Sequence, residues 1–352
     1  MGHVLAGFST PARGLLIAAA IAILTLAIRL AAPLLAPVLL AIFIAIILTP
    51  PIRWMGRYRV PMWIPLPIIL FLLMDLGSIL LLITTGALEG LRDSLPSYQE
   101  RFLLLSAEMG AWLEEIGIHG STAALPDIFN SAQAMQGVRF LLSNVGSLAA
   151  TGVLVLMAVV FLLLEIASLP AKLKLALRMT PLGEARLRGL LSAINRYMII
   201  KCLTSLATAA LIGVWLWLLG LDFIVVWVVL AFLLNFVPFV GSIFMAIPTL
   251  LFALVNSDLG TVFWVAIAYL AVNFLIGNIL EPRIMGRGLG VSTFVVFLSL
   301  LFWGWVLGTI GVFLSVPLTM ALMTALDASP HTRPIAMLMG LPLQPGPQDP
   351  TS

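Results

Sequence analysis

The sequence predicts an all-α polytopic membrane protein with about eight transmembrane helices and with re-entrant or broken helices in its C-terminal half. The chain has 352 residues, of which 62% are hydrophobic and 9% are charged, and its mean hydropathy is +1.16. Because soluble domains carry about 25% charged residues, this composition excludes a water-soluble globule. A helical span needs about 20 apolar residues, so the chain can supply about eight spans and the loops between them.

The residue types that are rare in the chain exclude several kinds of chemistry. Cys202 is the only cysteine, so an intramolecular disulfide and a four-cysteine metal site are impossible. His3, His119 and His331 lie outside the apolar runs, which argues against a histidine base or ligand within the membrane. The sequence contains no phosphate-loop or hydrolase motif. We therefore expect no enzymatic activity, no cofactor, no metal and no ATP hydrolysis by this chain.

Residues 1–88 are predicted to form the first three transmembrane helices. Apolar runs begin at Gly14 and Pro33, and a third run begins at Met62. The turn 53–59 between the second and third runs contains three arginines and no acidic residue, so the positive-inside rule places it in the cytoplasm. Two spans precede this turn, which places the N-terminus in the cytoplasm as well.

Two later segments have opposite charge and are expected on opposite sides of the membrane. Residues 89–145 contain three arginines and seven acidic residues, and their apolar residues recur at helical spacing, which predicts an external amphipathic helical segment. The segment 170–201 contains seven basic residues and one acidic residue and is predicted to be cytoplasmic. Lys201, at the start of the next apolar run, is interpreted as an anchor at the membrane surface.

Residues 146–326 are predicted to form a C-terminal transmembrane core with broken helices. The apolar run 243–255 has only 13 residues, which suits a re-entrant or broken helix. The run 293–326 is cut by several glycines and by Pro317, so it forms either a hairpin of two short limbs or one long kinked helix. The proline-rich tail, 327–352, is expected to be disordered in the cytoplasm.

Two blocks in this core combine helix-breaking residues with polar side chains. The first reads LNFVPFVGS from Leu234, and the second reads GNILEPRIMGR from Gly277. Proline and glycine interrupt a helix and leave backbone carbonyls without their helical hydrogen bonds, so protein, water or a passing solute must bind them. Transporters bind their substrates at such breaks. We therefore assign the substrate pathway to six residues: Asn235, Pro238, Gly241, Asn278, Glu281 and Pro282.

Together with a third block, from Leu298 to Leu318, these motifs resemble the signature of the autoinducer-2 exporter family of bacterial inner-membrane proteins. The resemblance is strongest over 195–326 and extends over nearly the whole chain. It implies a multi-pass inner-membrane exporter of a small solute such as autoinducer-2, and the absence of an ATP-hydrolysis motif then predicts export driven by a gradient rather than by ATP. It also implies a homo-oligomer, a pentamer in some relatives.

Two other functions stay open at this stage. Some relatives are assigned sodium or lithium to proton exchange, so a monovalent cation/proton antiporter is the first alternative. A channel-like oligomer without coupled transport is the second. The expected partners are accordingly a small-molecule solute or a monovalent cation and the lipid bilayer, and we expect no nucleic acid.

Asp75 is the candidate coupling group. It lies 13 residues from either end of its apolar run, or about 20 Å from each, and an acid at that depth costs about 2.5–3.5 kcal/mol. It is either a proton or cation carrier, or a structural ion pair or neutral buried carboxyl. Arg29 lies at a similar depth and could pair with Asp75, although extension to the outer headgroups is the simpler interpretation.

Glu281 and Arg283 flank Pro282 and are the candidate gate residues. They form either a gating pair or a charge arrangement at a helix end without a role in transport. Asn278 precedes Glu281 by three residues, so we expect both on one helical face, where the amide could bind a hydroxylated solute.

Overall fold

The computed structural model describes most of the predicted transmembrane part of the chain. Within the described ranges the regular structure is helical, without a strand, and four helical stretches are long and apolar enough to cross a membrane. Shorter apolar helices accompany them. An all-α polytopic membrane protein is therefore confirmed. The described residues are 10–57, 67–75, 151–165, 180–238, 241–285, 290–340, Lys172 and isolated positions between 77 and 115.

Several neighbouring helices are joined by only one or two residues. The predicted external segment, 89–145, lies almost entirely outside the described residues. In chain order the helices are α1 (Thr10–Leu30), α2 (Ala32–Arg57), α3 (Thr151–Glu165), α4 (Pro181–Leu218), α5 (Ile224–Leu234), α6 (Gly241–Asn256), α7 (Leu259–Asn273), the π-helix π1 (Phe274–Leu280), α8 (Glu281–Met285), α9 (Thr293–Leu307), α10 (Thr309–Asp327) and α11 (Arg333–Leu338).

The chain divides into two compact units. The first comprises Met1–Thr49, Phe161–Asn195 and Leu289–Ser352, and the second comprises Pro50–Val160 and Arg196–Gly288. Helix α4 has 38 residues, or about 57 Å, which is nearly twice the thickness of the hydrocarbon core. Its basic first part belongs to the first unit, and its apolar second part belongs to the second.

In the first unit, α1 and α2 occupy the first two predicted spans, but no loop separates them. Only Ala31 lies between the helices. Its N–H donates to the Ala27 carbonyl at 3.0 Å, and its carbonyl accepts from the Leu35 N–H at 2.9 Å. Both bonds have the α-helical spacing of four residues. The two predicted spans therefore follow one another in a nearly continuous helical path.

The run 293–326 forms the hairpin of two limbs, α9 and α10. Gly308 joins the limbs with a φ of 69°, a backbone conformation that favours glycine. The Trp303 indole N–H donates to the Thr319 hydroxyl at 3.0 Å, whereas in one straight helix these residues would lie about 24 Å apart. Gly311 lies so close to the Trp303 carbonyl that no Cβ fits between them.

The structure differs from the disorder that we predicted for the tail 327–352. Residues 333–338 form α11, in which Ala336 is fully buried. The Met339 carbonyl accepts a hydrogen bond from the Ser292 N–H at 2.9 Å, which joins the tail to the start of α9. The apolar residues 335–338 allow this packing, because they give the segment a surface to bury. Residues 341–352 lie outside the described part of the chain.

In the second unit, α5 and α6 form a hairpin, and α6 contains the short run 243–255, for which a re-entrant or broken helix is predicted. Helix α5 has 11 residues, or about 16 Å, which is too short to cross the hydrocarbon core. The Asn256 amide, at the end of α6, donates to the Asp222 carboxylate, just before α5, at 3.0 Å. The hairpin therefore begins and ends at the same level, and the described part of its tip lies at 235–238.

Aromatic packing and a helix cap stabilise the open end of this hairpin. The Trp227 and Phe252 rings pack with their centroids 5.3 Å apart, which joins α5 to α6. Asp258 caps α7 and accepts hydrogen bonds from the Thr261 hydroxyl at 2.6 Å and the Gly260 N–H at 3.0 Å. The bond from the Thr261 hydroxyl is the largest of the contributions that hold the pKa of the Asp258 carboxyl below its usual value.

The close contact in the α9–α10 hairpin gives a stability prediction. Gly311→Ala places a methyl group against the backbone of Trp303, so we expect it to lower the free energy of unfolding by about 1–3 kcal/mol. Gly189→Ala is the matched control, because Gly189 lies in α4 with open space around it, and alanine favours a helix there. Thermal unfolding in detergent measures both variants. Equal stability of the two variants would contradict the hairpin packing.

Candidate functional site

The buried face of α4 in the second unit carries a stripe of polar side chains, which we call the polar stripe. It consists of Tyr197, Lys201, Thr204, Ser205 and Thr208, which recur at helical spacing and so share one face. Each residue is at most 5% exposed. Because polar and ionisable side chains are costly in a membrane helix, such a stripe indicates a transport path or a polar contact between helices.

Lys201 forms a buried ion pair with Glu281. The ammonium lies 2.8 Å from one carboxylate oxygen and 3.0 Å from the other, and the two side chains are 6% and 17% exposed. We expected the Lys201 side chain to anchor the helix at the membrane surface, and the structure instead buries it against Glu281. Burial of the ammonium requires the opposite charge beside it, since an unpaired buried charge is strongly destabilising.

The π-helix π1 sets the direction of the Glu281 side chain. The Glu281 N–H donates to the Ile276 carbonyl, five residues earlier, which is the π-helical spacing. Residues three apart therefore do not share a face in this segment. Asn278 is exposed while Glu281 is largely buried, so the prediction that the two share a helical face is wrong.

The tip of the α5–α6 hairpin contacts the same part of α4. The Asn235 amide donates to the Ser205 hydroxyl at 3.0 Å, and Ser205 follows Lys201 by one helical turn. The two helix breaks predicted as the substrate pathway therefore meet at one turn of α4. This convergence is not evident from the sequence, because Asn235 and Glu281 lie 46 residues apart.

The other predicted pathway residues lie around these contacts. Pro238 is half-buried in the turn after α5, and Gly241 is buried at the start of α6. Gly241 lies against the Leu234 carbonyl, where a Cβ would collide. Pro282 and Arg283 are exposed on α8. Arg283 was the candidate gate partner of Glu281, but Glu281 pairs with Lys201 instead. Arg283 follows Glu281 by two residues, so its side chain points to the other side of the helix.

The two candidate coupling residues lie in different units. The Arg29 guanidinium, in the first unit, lies 4.4 Å from the centroid of the Trp305 ring, a cation–π contact. Asp75 is helical, in the described stretch 67–75 of the second unit, and its side chain is exposed. Their roles in coupling stay predictions. In the described part of the chain, no three His, Cys, Asp or Glu side chains are grouped so as to bind a metal.

Sequence reasoning missed the polar stripe, although the spacing was a signal. In the run KCLTSLAT from Lys201, a lysine and three hydroxyl side chains recur at three- and four-residue intervals in an otherwise apolar stretch. The basic residues before Lys201 favoured its interpretation as part of a cytoplasmic surface.

Comparison with known proteins identifies relatives over most of the chain. Residues 16–331 match the family described as AI-2E family transporter. The AI-2 transport protein TqsA of Escherichia coli (strain K12) is 36% identical over 293 residues, which cover 83% of this chain and 85% of TqsA. A putative transport protein of Haemophilus influenzae is 35% identical over 336 residues, which cover 93% of this chain and 96% of that protein. The putative transport protein YhhT of Escherichia coli (strain K12) is 32% identical over 294 residues and 84% of each chain.

The buried ion pair gives a second stability prediction. Lys201→Met and Glu281→Gln each leave the other charge buried and unpaired, so we expect each to lower the free energy of unfolding by about 3–5 kcal/mol. The double variant removes both charges and should recover much of that loss. Thermal unfolding of the full chain in detergent measures the coupling between the two positions.

Lys172→Met is the matched control for the ion pair. Lys172 pairs with Glu165 at 2.6 Å, but these side chains are 59% and 57% exposed. Exposed pairs contribute about 0–1 kcal/mol. If Lys201→Met is no more destabilising than Lys172→Met, the buried pair does not hold the helices together as described.

Proposed function

Because the chain belongs to the AI-2E transporter family, we propose that it exports a small solute along the polar stripe of α4 and the two helix breaks beside it. The observation that carries this proposal is the meeting of two polar contacts, Lys201 with Glu281 and Asn235 with Ser205, on neighbouring turns of one membrane helix. One relative is named an AI-2 transport protein, so autoinducer-2 is the first solute to test.

The lengths of the elements support a location within the bilayer. Ser205 precedes the end of α4 by 13 residues, or about 20 Å. The tip of the hairpin at Asn235 lies about 16 Å from the start of α5. Both estimates fall inside a hydrocarbon core about 30 Å thick. Lys201 lies one turn further from the end of α4 than Ser205, at about 26 Å. The ion pair is therefore near the membrane boundary opposite the end of α4.

The ion pair acts as the inner gate in this proposal. Positive-inside charge places the basic start of α4 in the cytoplasm, and the pair then separates the cytoplasm from the hairpin tip. A solute that enters the stripe must displace or bypass the contact between Lys201 and Glu281. The π-helix and Pro282 favour such movement, because π-helical segments and prolines interrupt the regular helical hydrogen bonding beside Glu281.

A gradient drives the transport in this proposal, since the sequence contains no phosphate-loop motif. Cation/proton antiport is the second candidate function, and the same ion pair favours it, because a proton or a monovalent cation can neutralise Glu281 in place of the Lys201 ammonium. We place the protein in the bacterial inner membrane with both termini in the cytoplasm. We propose that the protein assembles as a homo-oligomer. A channel-like oligomer without coupled transport is the remaining alternative.

The hairpin tip gives a direct test of the export proposal. Full-length protein in proteoliposomes is assayed for autoinducer-2 efflux and, separately, for sodium-dependent proton movement. We expect Asn235→Ala to reduce the efflux about tenfold or more, because it removes the contact between the hairpin tip and Ser205. Asn256→Ala is the control, because Asn256 bonds to Asp222 at the far end of the same hairpin and should keep near-wild-type efflux.

The two assays distinguish the proposals. Efflux that is equally reduced in both variants would remove the hairpin tip from the pathway. Proton movement without efflux would favour the antiporter, and flux that responds to neither pH nor sodium would favour the channel. If folded protein has neither activity, both transport proposals fail.

Asp75 gives a separate prediction about coupling. Asp75→Asn removes the ionisable carboxyl and keeps the size of the side chain, so we expect it to lower proton-coupled flux. Assembly, measured by size-exclusion chromatography in detergent, should be unchanged. Unchanged flux with an unchanged dependence on pH in proteoliposomes would exclude Asp75 from coupling.

A further inference from the structure

The hydroxyl of Thr208 differs from other threonine hydroxyls in this protein. In helices, a threonine hydroxyl commonly donates to a carbonyl three or four residues earlier. Thr208 is fully buried at 0% exposure, yet its hydroxyl has no hydrogen-bond partner in the described part of the chain. Four other threonines donate to the carbonyl four residues earlier at 2.7–3.0 Å: Thr25, Thr49, Thr249 and Thr324.

A second unpaired polar atom lies on the same face of α4. The indole N–H of Trp215 is buried without a partner among the described residues. Trp215 follows Thr208 by seven residues, which returns the side chain to the same face about 10 Å further along the helix. Buried polar atoms are nearly always hydrogen-bonded, so two unpaired atoms on one helical face are candidate positions for water or a ligand.

The chemistry of this stretch specifies the class of ligand. From Cys202 to Leu218 the helix contains no charged residue. The Thr208 hydroxyl can donate and accept a hydrogen bond, and the Trp215 indole can only donate. A charged ligand would be buried here without a compensating charge, which is strongly unfavourable. An uncharged solute with hydroxyl or carbonyl oxygens satisfies both groups.

We propose that Thr208 binds an uncharged hydroxylated solute within the membrane, and that Trp215 is the next hydrogen-bonding position on its path along α4. This inference rests on the proposed function. Thr208 is fully buried, so a solute reaches it only when the proposed inner gate or the hairpin tip moves. It adds to that function a binding residue and a preference for uncharged ligands over inorganic ions.

The test compares two buried threonines of the second unit. Thr208→Val removes the unpaired hydroxyl and keeps the shape of the side chain. Thr249→Val is the matched control, because Thr249 is also 0% exposed but its hydroxyl bonds to the Tyr269 hydroxyl at 2.8 Å and to the Met245 carbonyl. Both variants are made in the full-length protein and assayed for autoinducer-2 efflux and for thermal unfolding in detergent without solute.

The two threonines should respond in opposite ways. We expect Thr208→Val to raise the KM for efflux roughly fivefold to tenfold, as loss of one hydrogen bond to the ligand does. Its unfolding temperature should be unchanged or higher, because no hydrogen bond within the protein is lost. Thr249→Val should lower the unfolding temperature and leave the KM near that of the wild type. An unchanged KM in Thr208→Val would overturn the proposal.

A binding measurement separates this proposal from the proposed function. Autoinducer-2, erythritol and sodium chloride are added to the wild type and to Thr208→Val, and the shift in unfolding temperature is measured. We expect the two uncharged solutes to stabilise the wild type more than the variant, even if the wild type exports neither. If the uncharged solutes shift the wild type and Thr208→Val equally, or shift neither, the binding site is excluded whatever the outcome of the efflux assay.

Discussion

The buried ion pair between Lys201 and Glu281 is the contact on which the arrangement of the second unit depends. Each buried charge on its own would be strongly unfavourable, and together they are tolerated only while the two groups stay close. The pair therefore fixes the position of α8 and π1 against α4. It also gives the structure a place where a small change in charge, by a proton, a cation or a passing solute, can alter the packing of helices.

The hairpin of α5 and α6 places a second polar contact one turn from this pair. Its first limb has 11 residues, too few to cross the hydrocarbon core, and Asn235 at its end bonds to Ser205. The peptide N–H groups of Phe236 and Val237 donate within the turn, to the carbonyls of Leu233 and Leu234, while the Asn235 side chain makes the contact with the polar face of α4. The long apolar helix, the hairpin tip and the π-helix thus meet around one polar stripe, which then continues to Thr208.

The sequence predicted the class of fold and the two helix breaks, but not how the breaks meet. The helix breaks are visible in the local sequence, because Asn235 precedes a proline and a glycine and Glu281 precedes Pro282. The burial of Lys201 is not visible there, because a lysine after a run of basic residues has the same local pattern whether it anchors a helix or lies buried beside a carboxylate. The choice depends on a residue 80 positions later in the chain.

Two other differences have equally physical causes. The α-helical period of 3.6 residues predicts Asn278 and Glu281 on one face, but this period does not hold in a π-helix. No residue type in the segment indicates that its hydrogen bonds span five residues instead of four. The sequence of 293–326 is compatible with a hairpin and with one kinked helix, because Gly308 can occur in both. The close approach of Gly311 to Trp303 follows from the tertiary packing of the two limbs and not from either limb alone.

We propose that direct pairing of Lys201 with Glu281 controls passage along the polar stripe. The most direct test exchanges the charges in full-length protein in proteoliposomes. Lys201→Glu and Glu281→Lys are made singly and together, and the efflux of autoinducer-2 is measured in each. Each single reversal should abolish efflux, and the exchange should restore a substantial part of it. Wild-type efflux in the single reversals, or an exchange no more active than either single variant, would show that the ion pair does not control passage.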